Sequence, residues 1–586
     1  MTPRTVTPLL LALAFAGLVP SPPVPPPETA RADELGGLWT AKRRFGPDVR
    51  GPLVIERSGD RYTADMMGRL LPVRVDGDEL SFAWLGEQGA FRGALRGNEI
   101  RGVWIPPRSI AMGGHATPVV LTADGPDRWS GVVEPFDDVF TFHLLVRERP
   151  DGSLSALLRN PERDFGALLG VRHLVREGDV VELHGKAPWM PEEGVVAAGS
   201  YTAETDVITL AFPGRGGSYD FRRAGDESGF YPRGRNTGRY GYRPPPVRDD
   251  GWPTGTLEDV DLDRAAVERF VQGILDMPMD TLPAPQTHGL LIARNGTLVL
   301  EEYFHGEHRD RLHETRSAAK SVAATLVGAA LEAGAPLELS SPVYRVMNGG
   351  AFPADLEPRK RSMTLEHLLT MSSGYFCDDN NPDAPGREDT VQEQAEEPDW
   401  LRYTLAVPMA FATGDTAIYC SANPNLALGV LGRAMEETPL SAFDRLLAVP
   451  LGIERYGWPL DPAGNPYGGG GVQFLPRDFL KFGQLMLDGG TWQGRRILAA
   501  DFVERASSPL VRVRDRGYGY LWWVDDLPRG DGSVSTFSAM GAGGQVLTVI
   551  PELDLVILHL GGSYSSAGWR YAQAVLIPDA ILPAVR

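Results

Sequence analysis

Residues 318 to 333 read as a helix that is apolar on nearly every face. Apart from Lys320 and a few polar positions it is built from Ala, Val, Leu and Gly, and Gly334 ends it. A surface helix carries one apolar stripe, whereas a helix that is apolar all round has to be enclosed by the rest of the fold. At its N-terminal end Ser317 and Lys320 stand three residues apart, one turn along a single face, so hydroxyl and amine can meet. Lysine is rare in this chain. Of 57 basic side chains only Lys42, Lys186, Lys320, Lys360 and Lys481 are lysine, and the rest are arginine. Burial strips hydration from an ammonium and is expected to lower its pKa. A neutral amine beside a serine hydroxyl is a general base, work that the permanently protonated guanidinium of arginine cannot do. The serine also has helix amide donors and the positive end of the helix dipole beside it. The competing reading is an N-cap serine with a surface lysine, and S-x-x-K spacing by itself does not decide between them.

At 586 residues the chain is expected to hold two or three domains. A hydrophobic content of 42% with 23% charged residues is that of a folded protein. The formal net charge of −19 argues against nucleic acid or anionic membrane surfaces as partners, since both repel an acidic protein. Residues 1–32 read as an export signal: Arg4 supplies the positive start, and the apolar run 8–19 is too short to span a bilayer. Cleavage could follow Ala14-Phe15-Ala16 or Ala30-Arg31-Ala32, and an uncleaved anchor is the alternative. No later segment is apolar for long enough to cross a membrane, so the mature protein is expected to be periplasmic or secreted, with no integral membrane domain. Export makes the two cysteines, Cys377 and Cys420, candidates for a disulfide. There is no CxxC and no Cys/His cluster with zinc spacing, so neither a metal nor another cofactor is expected.

Residues 33–225 alternate apolar and polar positions in short runs separated by DG and GN dipeptides, the pattern of β-hairpins. They predict an all-β, lipocalin-like region, either one large barrel or two repeats over 37–123 and 129–224. The Gly-, Pro-, Arg- and Tyr-rich segment 226–256 reads as a linker. From 257 to 586 strand and helix signals mix. A hairpin around Asn295-Gly296, a strand at 518–524 and a strand pair over 543–562 folded at Pro551 to Asp554 flank a long helical region. A final helix is interrupted by Pro578. Strands at both ends with helices between them predict an α+β domain: an antiparallel sheet closed by the two chain ends, flanked by helices, with a helical lobe inserted.

Two further motifs lie far from Ser317. The segment 413–431, TGDTAIYCSANPNLALGVL, can be read as Tyr419-Cys420-Ser421 or as Ser421-Ala422-Asn423. The Gly-rich strand entry around Gly541, Ala542, Gly543 and Gln545 would let a substrate approach backbone N–H groups. It is not a phosphate loop, because the P-loop lysine is absent and no helix follows. In this order, Ser317-x-x-Lys320, a Tyr-x-Ser/Asn element and a Gly-rich strand entry, the chain resembles the β-lactamase-like serine hydrolases. These include class C β-lactamases, D,D-peptidases, related esterases and nylon-oligomer hydrolases. The resemblance covers about 257–586 and extends to the phrases TLEHLLTMSSGY, PRDFLKFGQLMLDGG and YGYLWW. The Gly414-to-Tyr419 spacing matches the family's and selects the Tyr419-Cys420-Ser421 register.

The resemblance implies roles. Ser317 would attack the acyl carbon of an ester or amide in a small molecule or peptide and form an acyl-enzyme. Lys320 and Tyr419 would take and return protons as a coupled pair. Ser421 would bond Lys320 or the substrate, and the N–H groups of Ser317 and Ala542 would hold the oxyanion. Gly541, Gly543, Gln545 and Tyr375 are candidate substrate contacts. Two departures stand out. Ser421 replaces the asparagine of many relatives, and Ala539-Met540-Gly541 replaces a K-T-G or H-x-G triplet whose basic residue helps hold a substrate carboxylate. Ester or simple amide hydrolysis is therefore favoured over a penicillin-binding peptidase or β-lactamase. A Ser-His-Asp enzyme lacks its G-x-S-x-G elbow here, and His305, His308 and His313 are expected in a polar loop. The reading from another class is a non-catalytic ligand-binding or sensor protein.

Overall fold

The computed structural model describes residues 34–109, 113–135, 137–225, 228–235, 238–564 and 566–586. The expected export signal and both cleavage positions lie outside the described residues.

The N-terminal part is all-β, and its two closed sheets are nested rather than tandem. One ring consists of Gly37–Gly46 followed by seven strands from Asp138–Glu148 to Gly217–Arg223, all antiparallel, with the last strand returning to the first. Between its first two strands the chain builds a second ring of eight strands, from Gly51–Ser58 to Arg128–Val133. That ring closes by pairing Leu53 with Gly131 and Leu121 with Gly131. The alternation is thus read correctly in the sequence, but the split at 123/129 is not where one sheet gives way to the other. Side chains fill both rings. In the first, Phe142 stacks on Phe212 at 4.4 Å amid Trp39, Phe140, Tyr219 and Phe221; in the second, Phe91, Ile100 and Trp104 are fully buried. Closure of this kind removes the unpaired edges that make open sheets prone to self-association.

The C-terminal part is the expected α+β arrangement. Its eight-stranded antiparallel sheet runs Thr297–Tyr303, Thr287–Arg294, Leu555–Gly561, Gln545–Ile550, Gly532–Gly541, Trp523–Arg529, Arg516–Tyr518, Val511–Val513, so the first hairpin of this part pairs with the last strand of the chain near one edge. Asn295 and Gly296 turn the first hairpin with φ of 52° and 70°. One face carries the helix Arg264–Leu275 and the C-terminal helix; the other carries Ala319–Glu332, Ala422–Met435 and Pro476–Leu487 in the largest apolar core.

Three local expectations give way. The 518–524 strand is interrupted: the chain kinks at Gly519–Trp522, where Leu521 has φ of 60° and its carbonyl accepts from Ser321 Oγ at 2.7 Å. Pro578 does not interrupt the last helix, which runs through it from Ala572 to Ile581 as a wider π-type turn. The segment 226–256 has little regular structure but is not a free linker. Tyr242 OH donates to Val299 O at 2.7 Å and Trp252 Nε1 donates to Arg477 O at 3.0 Å, strapping it to the C-terminal part. Among the described residues no helix is long and apolar enough to cross a membrane.

The second ring is fused to the C-terminal part by backbone pairing. Gly114–Ala116 pairs with Trp458–Leu460, Tyr456–Gly457 pairs with Gln473–Phe474, and that strand pairs with His313–Glu314, four residues before Ser317 at its first residue. Arg101 of the ring also grips Asp444 with two hydrogen bonds, 2.8 and 3.0 Å.

Candidate active site

Ser317 sits on a tight turn, Arg316–Ala318, that leads directly into the helix Ala319–Glu332. The turn is held from below: Thr315 N and Oγ1 both donate to Val472 O at 3.0 and 2.6 Å, and Gly471 N donates to Arg316 O at 3.1 Å. Arg316 has φ of 50°, a left-handed conformation that a residue with a Cβ adopts only when its surroundings impose it. Lys320 follows one turn later, 1% exposed, and donates to Ser317 Oγ at 3.0 Å and to Gly469 O.

Tyr419 faces the same lysine. Lys320 Nζ lies 4.9 Å from the centroid of its ring, the Arg514 guanidinium lies 4.9 Å from it too, and Trp523 stacks on it at 5.6 Å. Cys377 and Cys420 form a disulfide with a Cα–Cα distance of 5.6 Å. The bond fastens the tyrosine turn to the loop after Tyr375, and Asp379 N adds a hydrogen bond to Tyr419 O at 3.1 Å. Ser421 does not bond Lys320. Its N and Oγ both donate to Asp379 Oδ2, at 2.9 and 2.6 Å. Behind Asp379, Glu388 donates its N–H to Oδ1 at 3.0 Å and accepts from Tyr467 OH at 2.6 Å. Asp379 and Glu388 were not singled out in the sequence, where they are two acids in a polar-looking stretch rich in Asp and Glu.

These carboxylates reverse one expectation. Burial is the largest influence on Lys320 and does lower its pKa, but the charges of Tyr419, Glu388 and Asp379 together outweigh it and raise the pKa above the ordinary value. Lys320 is therefore held as an ammonium. Burial in turn raises the pKa of Asp379, against the opposing pull of Lys320.

The Gly-rich strand passes directly over the Ser317 turn. A Cβ on Gly541 would lie 2.3 Å from Thr315 O and 2.9 Å from Arg316 Cβ, so only glycine allows this approach. Ala542 is exposed at the following turn, and Gly543, with φ of 88°, lies against the Tyr564 ring. Two suggested substrate contacts do not face the cleft. Gln545 is fully buried, with Nε2 donating to Gly561 O at 2.6 Å and Oε1 accepting from Gly561 N at 3.1 Å. Tyr375 is 2% exposed and shares a 2.8 Å hydrogen bond with Tyr344 OH. Ala539 is buried within its strand, and the cation near Tyr419 comes instead from Arg514, at a hairpin tip.

Of the histidines near Ser317, His305 and His313 are buried with His288 in a cluster rather than lying in a polar loop. His313 Nε2 and His288 Nδ1 are 2.9 Å apart, and His305 Nδ1 is 3.0 Å from Gly229 O, while His308 is exposed. Burial holds His313 down to about 3 and His305 down to about 4, so both are neutral. A cavity of about 730 Å³ opens where the first ring meets this cluster. Its lining includes Arg163, Glu307, His313, Glu314 and Tyr564 but neither Ser317, Lys320 nor Tyr419, so it adjoins the site without containing it. Among the described residues no three His, Cys, Asp or Glu side chains converge to hold a metal ion.

The family model described as Beta-lactamase matches residues 280–561, the segment that carries Ser317, Lys320, Tyr419, Ser421 and Gly541. That match ties residues 280–561, and not the whole chain, to the beta-lactamase family. The 6-aminohexanoate-dimer hydrolase of Paenarthrobacter ureafaciens is 25% identical over 315 residues, covering 50% of this chain and 77% of that protein. Among solved structures, a family VIII carboxylesterase is 17% identical with a TM-score of 0.40, covering 54% of this chain and 94% of that one. A penicillin-binding protein homologue from Caulobacter crescentus is 16% identical with a TM-score of 0.40, covering 52% and 94%. The family match and the hydrolase relative make 280–561 the hydrolase-like part of the chain, and the nested rings lie outside the matched residues.

Proposed function

We propose that the protein is an exported serine hydrolase that cleaves an ester or amide through an acyl-enzyme on Ser317. The observation that carries this is the 3.0 Å hydrogen bond from a fully buried Lys320 to Ser317 Oγ, at the mouth of a helix. A buried cation aimed at a serine oxygen stabilises the alkoxide that forms as the serine attacks. Because Lys320 is held as an ammonium, it is not the resting base. Lys320 and Tyr419 act as one unit, which takes the serine proton and returns it to the leaving oxygen or nitrogen. The N–H groups of Ser317 and Ala542 receive the oxyanion, and Gly541 keeps the strand close enough for both to reach it. Water then attacks the acyl-enzyme by the reverse proton path. Ser421 supports the site indirectly, by orienting Asp379. A disulfide beside the catalytic tyrosine and the apolar N-terminal run both support export.

A second reading, a penicillin-binding peptidase or β-lactamase acting on a carboxylate-bearing substrate, is favoured by one feature. Arg514 forms no ion pair among the described residues and puts a cation over Tyr419 although Ala539 supplies none. A panel of p-nitrophenyl esters, aryl amides and a chromogenic cephalosporin separates the two readings. Turnover of simple esters or amides with a negligible cephalosporin rate supports the first, and efficient cephalosporin hydrolysis replaces it with the second. Turnover of none of them defeats both.

A further inference from the structure

The nested rings reach the nucleophile through a short chain of charges. After the ring strand Leu154–Arg159 the chain makes a tight loop, held by Asn160 Nδ2 donating to Thr141 O at 2.7 Å and by Arg163 N donating to Asn160 Oδ1 at 2.8 Å. The loop presents Arg163 to Glu314, with which it forms an ion pair across the junction. Glu314 also pairs with Arg316, Oε1 to Nε at 3.2 Å, so one largely buried carboxylate is bracketed by two guanidinium groups. The Arg316 guanidinium in turn lies 4.9 Å over the ring of Tyr564, the side chain that lies against Gly543. Beside this, a Cβ on Gly562 would lie 3.1 Å from Pro161 O, so the ring loop and the end of the Gly-rich strand pair meet backbone to backbone.

Arg316 is the residue immediately before Ser317 and has φ of 50°. A backbone region that L-residues avoid persists only where several contacts hold it, and such residues cluster where geometry has to be fixed. Val472 and Gly471 hold the backbone from one side, and Glu314 and Tyr564 hold the Arg316 side chain from the other. Without Arg163, Glu314 would keep one partner and gain freedom to turn into the adjoining cavity.

We propose that Arg163 is a positioning residue for Ser317: through Glu314 and Arg316 it holds the nucleophile turn, so that the N-terminal β region completes the active site of the hydrolase domain. The inference rests on Ser317 being the nucleophile. It gives the rings a role in the reaction that needs no ligand inside them.

The test uses the full-length protein and p-nitrophenyl butyrate, with Arg163→Ala, Arg163→Lys, Glu314→Gln and, as a control, Arg101→Ala. Arg101→Ala removes another ring-to-hydrolase ion pair that does not touch the nucleophile turn. A nucleophile misplaced by about 1 Å can lose roughly a hundredfold in rate, so Arg163→Ala and Glu314→Gln are expected to lower kcat about 10- to 100-fold with KM changed less than about threefold. The rate of fluorophosphonate labelling should fall in the same proportion at an unchanged melting temperature. Arg163→Lys should recover part of the loss, and Arg101→Ala should keep full kcat. If Arg163→Ala does not fold, Glu314→Gln, which keeps the shape and removes only the charge, decides. A folded Arg163→Ala or Glu314→Gln with kcat within about threefold of wild type overturns the proposal, as does an equal loss in Arg101→Ala. An unchanged rate in Ser317→Ala overturns it together with the nucleophile reading, whereas a rate lost in Ser317→Ala and kept in Arg163→Ala overturns the positioning role alone.

Discussion

Gly541→Ala is the substitution on which the site geometry bears most directly. The added Cβ would lie 2.3 Å from Thr315 O, 2.9 Å from Arg316 Cβ and 3.1 Å from Ala318 N. Ordinary contact begins near 3.4 Å, so strand and nucleophile turn must part by roughly 1 Å, and none of the three atoms belongs to the free end of a flexible side chain. Overpacking of this kind costs about 1–3 kcal/mol of stability. A separation of about 1 Å between the nucleophile and the strand that borders the oxyanion position is expected to lower kcat/KM on a p-nitrophenyl ester about 100-fold. Gly532→Ala is the internal control, because it lies on the same strand and its Cβ would meet only Arg529 O at 3.9 Å. The assay compares kcat/KM and thermal denaturation of both variants with wild type. A Gly541→Ala enzyme within about threefold of wild type, or a Gly532→Ala enzyme equally impaired, would refute the reasoning.

Asp379→Asn removes one of the carboxylates that hold Lys320 as an ammonium and weakens the acceptor of both Ser421 donors. Losing that charge lets the Lys320 pKa fall, so the alkaline limb of the pH–rate profile should move to lower pH with kcat reduced about tenfold; a profile that does not move contradicts the assignment. Removing the Cys377–Cys420 disulfide by paired serine substitution frees a loop of 43 residues, for which chain entropy predicts a loss of about 4 kcal/mol. Chemical denaturation reads the change, and a loss below about 1 kcal/mol would show that the bond adds little to the fold.

Short-range chemistry was legible in the sequence wherever one segment carried the whole signal. The all-round apolar helix after Ser317, the Asn295-Gly296 hairpin and the fold-back at Pro551 to Asp554 depend on neighbours within a few residues. What could not be read depends on distant groups. One closed sheet inserted between the first two strands of another leaves the local alternation unchanged, so 37–123 and 129–224 look like tandem repeats. The charge of Lys320 follows from Tyr419, Glu388 and Asp379, about 60 to 100 residues away in sequence, and no burial argument made from its own helix includes them. Gln545 looks like a free polar group at a strand entry, yet both ends of its amide are taken up by Gly561. Arg163 precedes the serine by about 150 residues and sits on a loop of the first ring.

The central claim, that Ser317 is the nucleophile, is tested most directly by the intact mass and peptide map of the protein after treatment with a fluorophosphonate. The account predicts a single phosphonyl adduct on the peptide that contains Ser317, lost in Ser317→Ala and formed far more slowly in Lys320→Arg. An adduct of equal yield in Ser317→Ala, or one mapped to another residue, would contradict it.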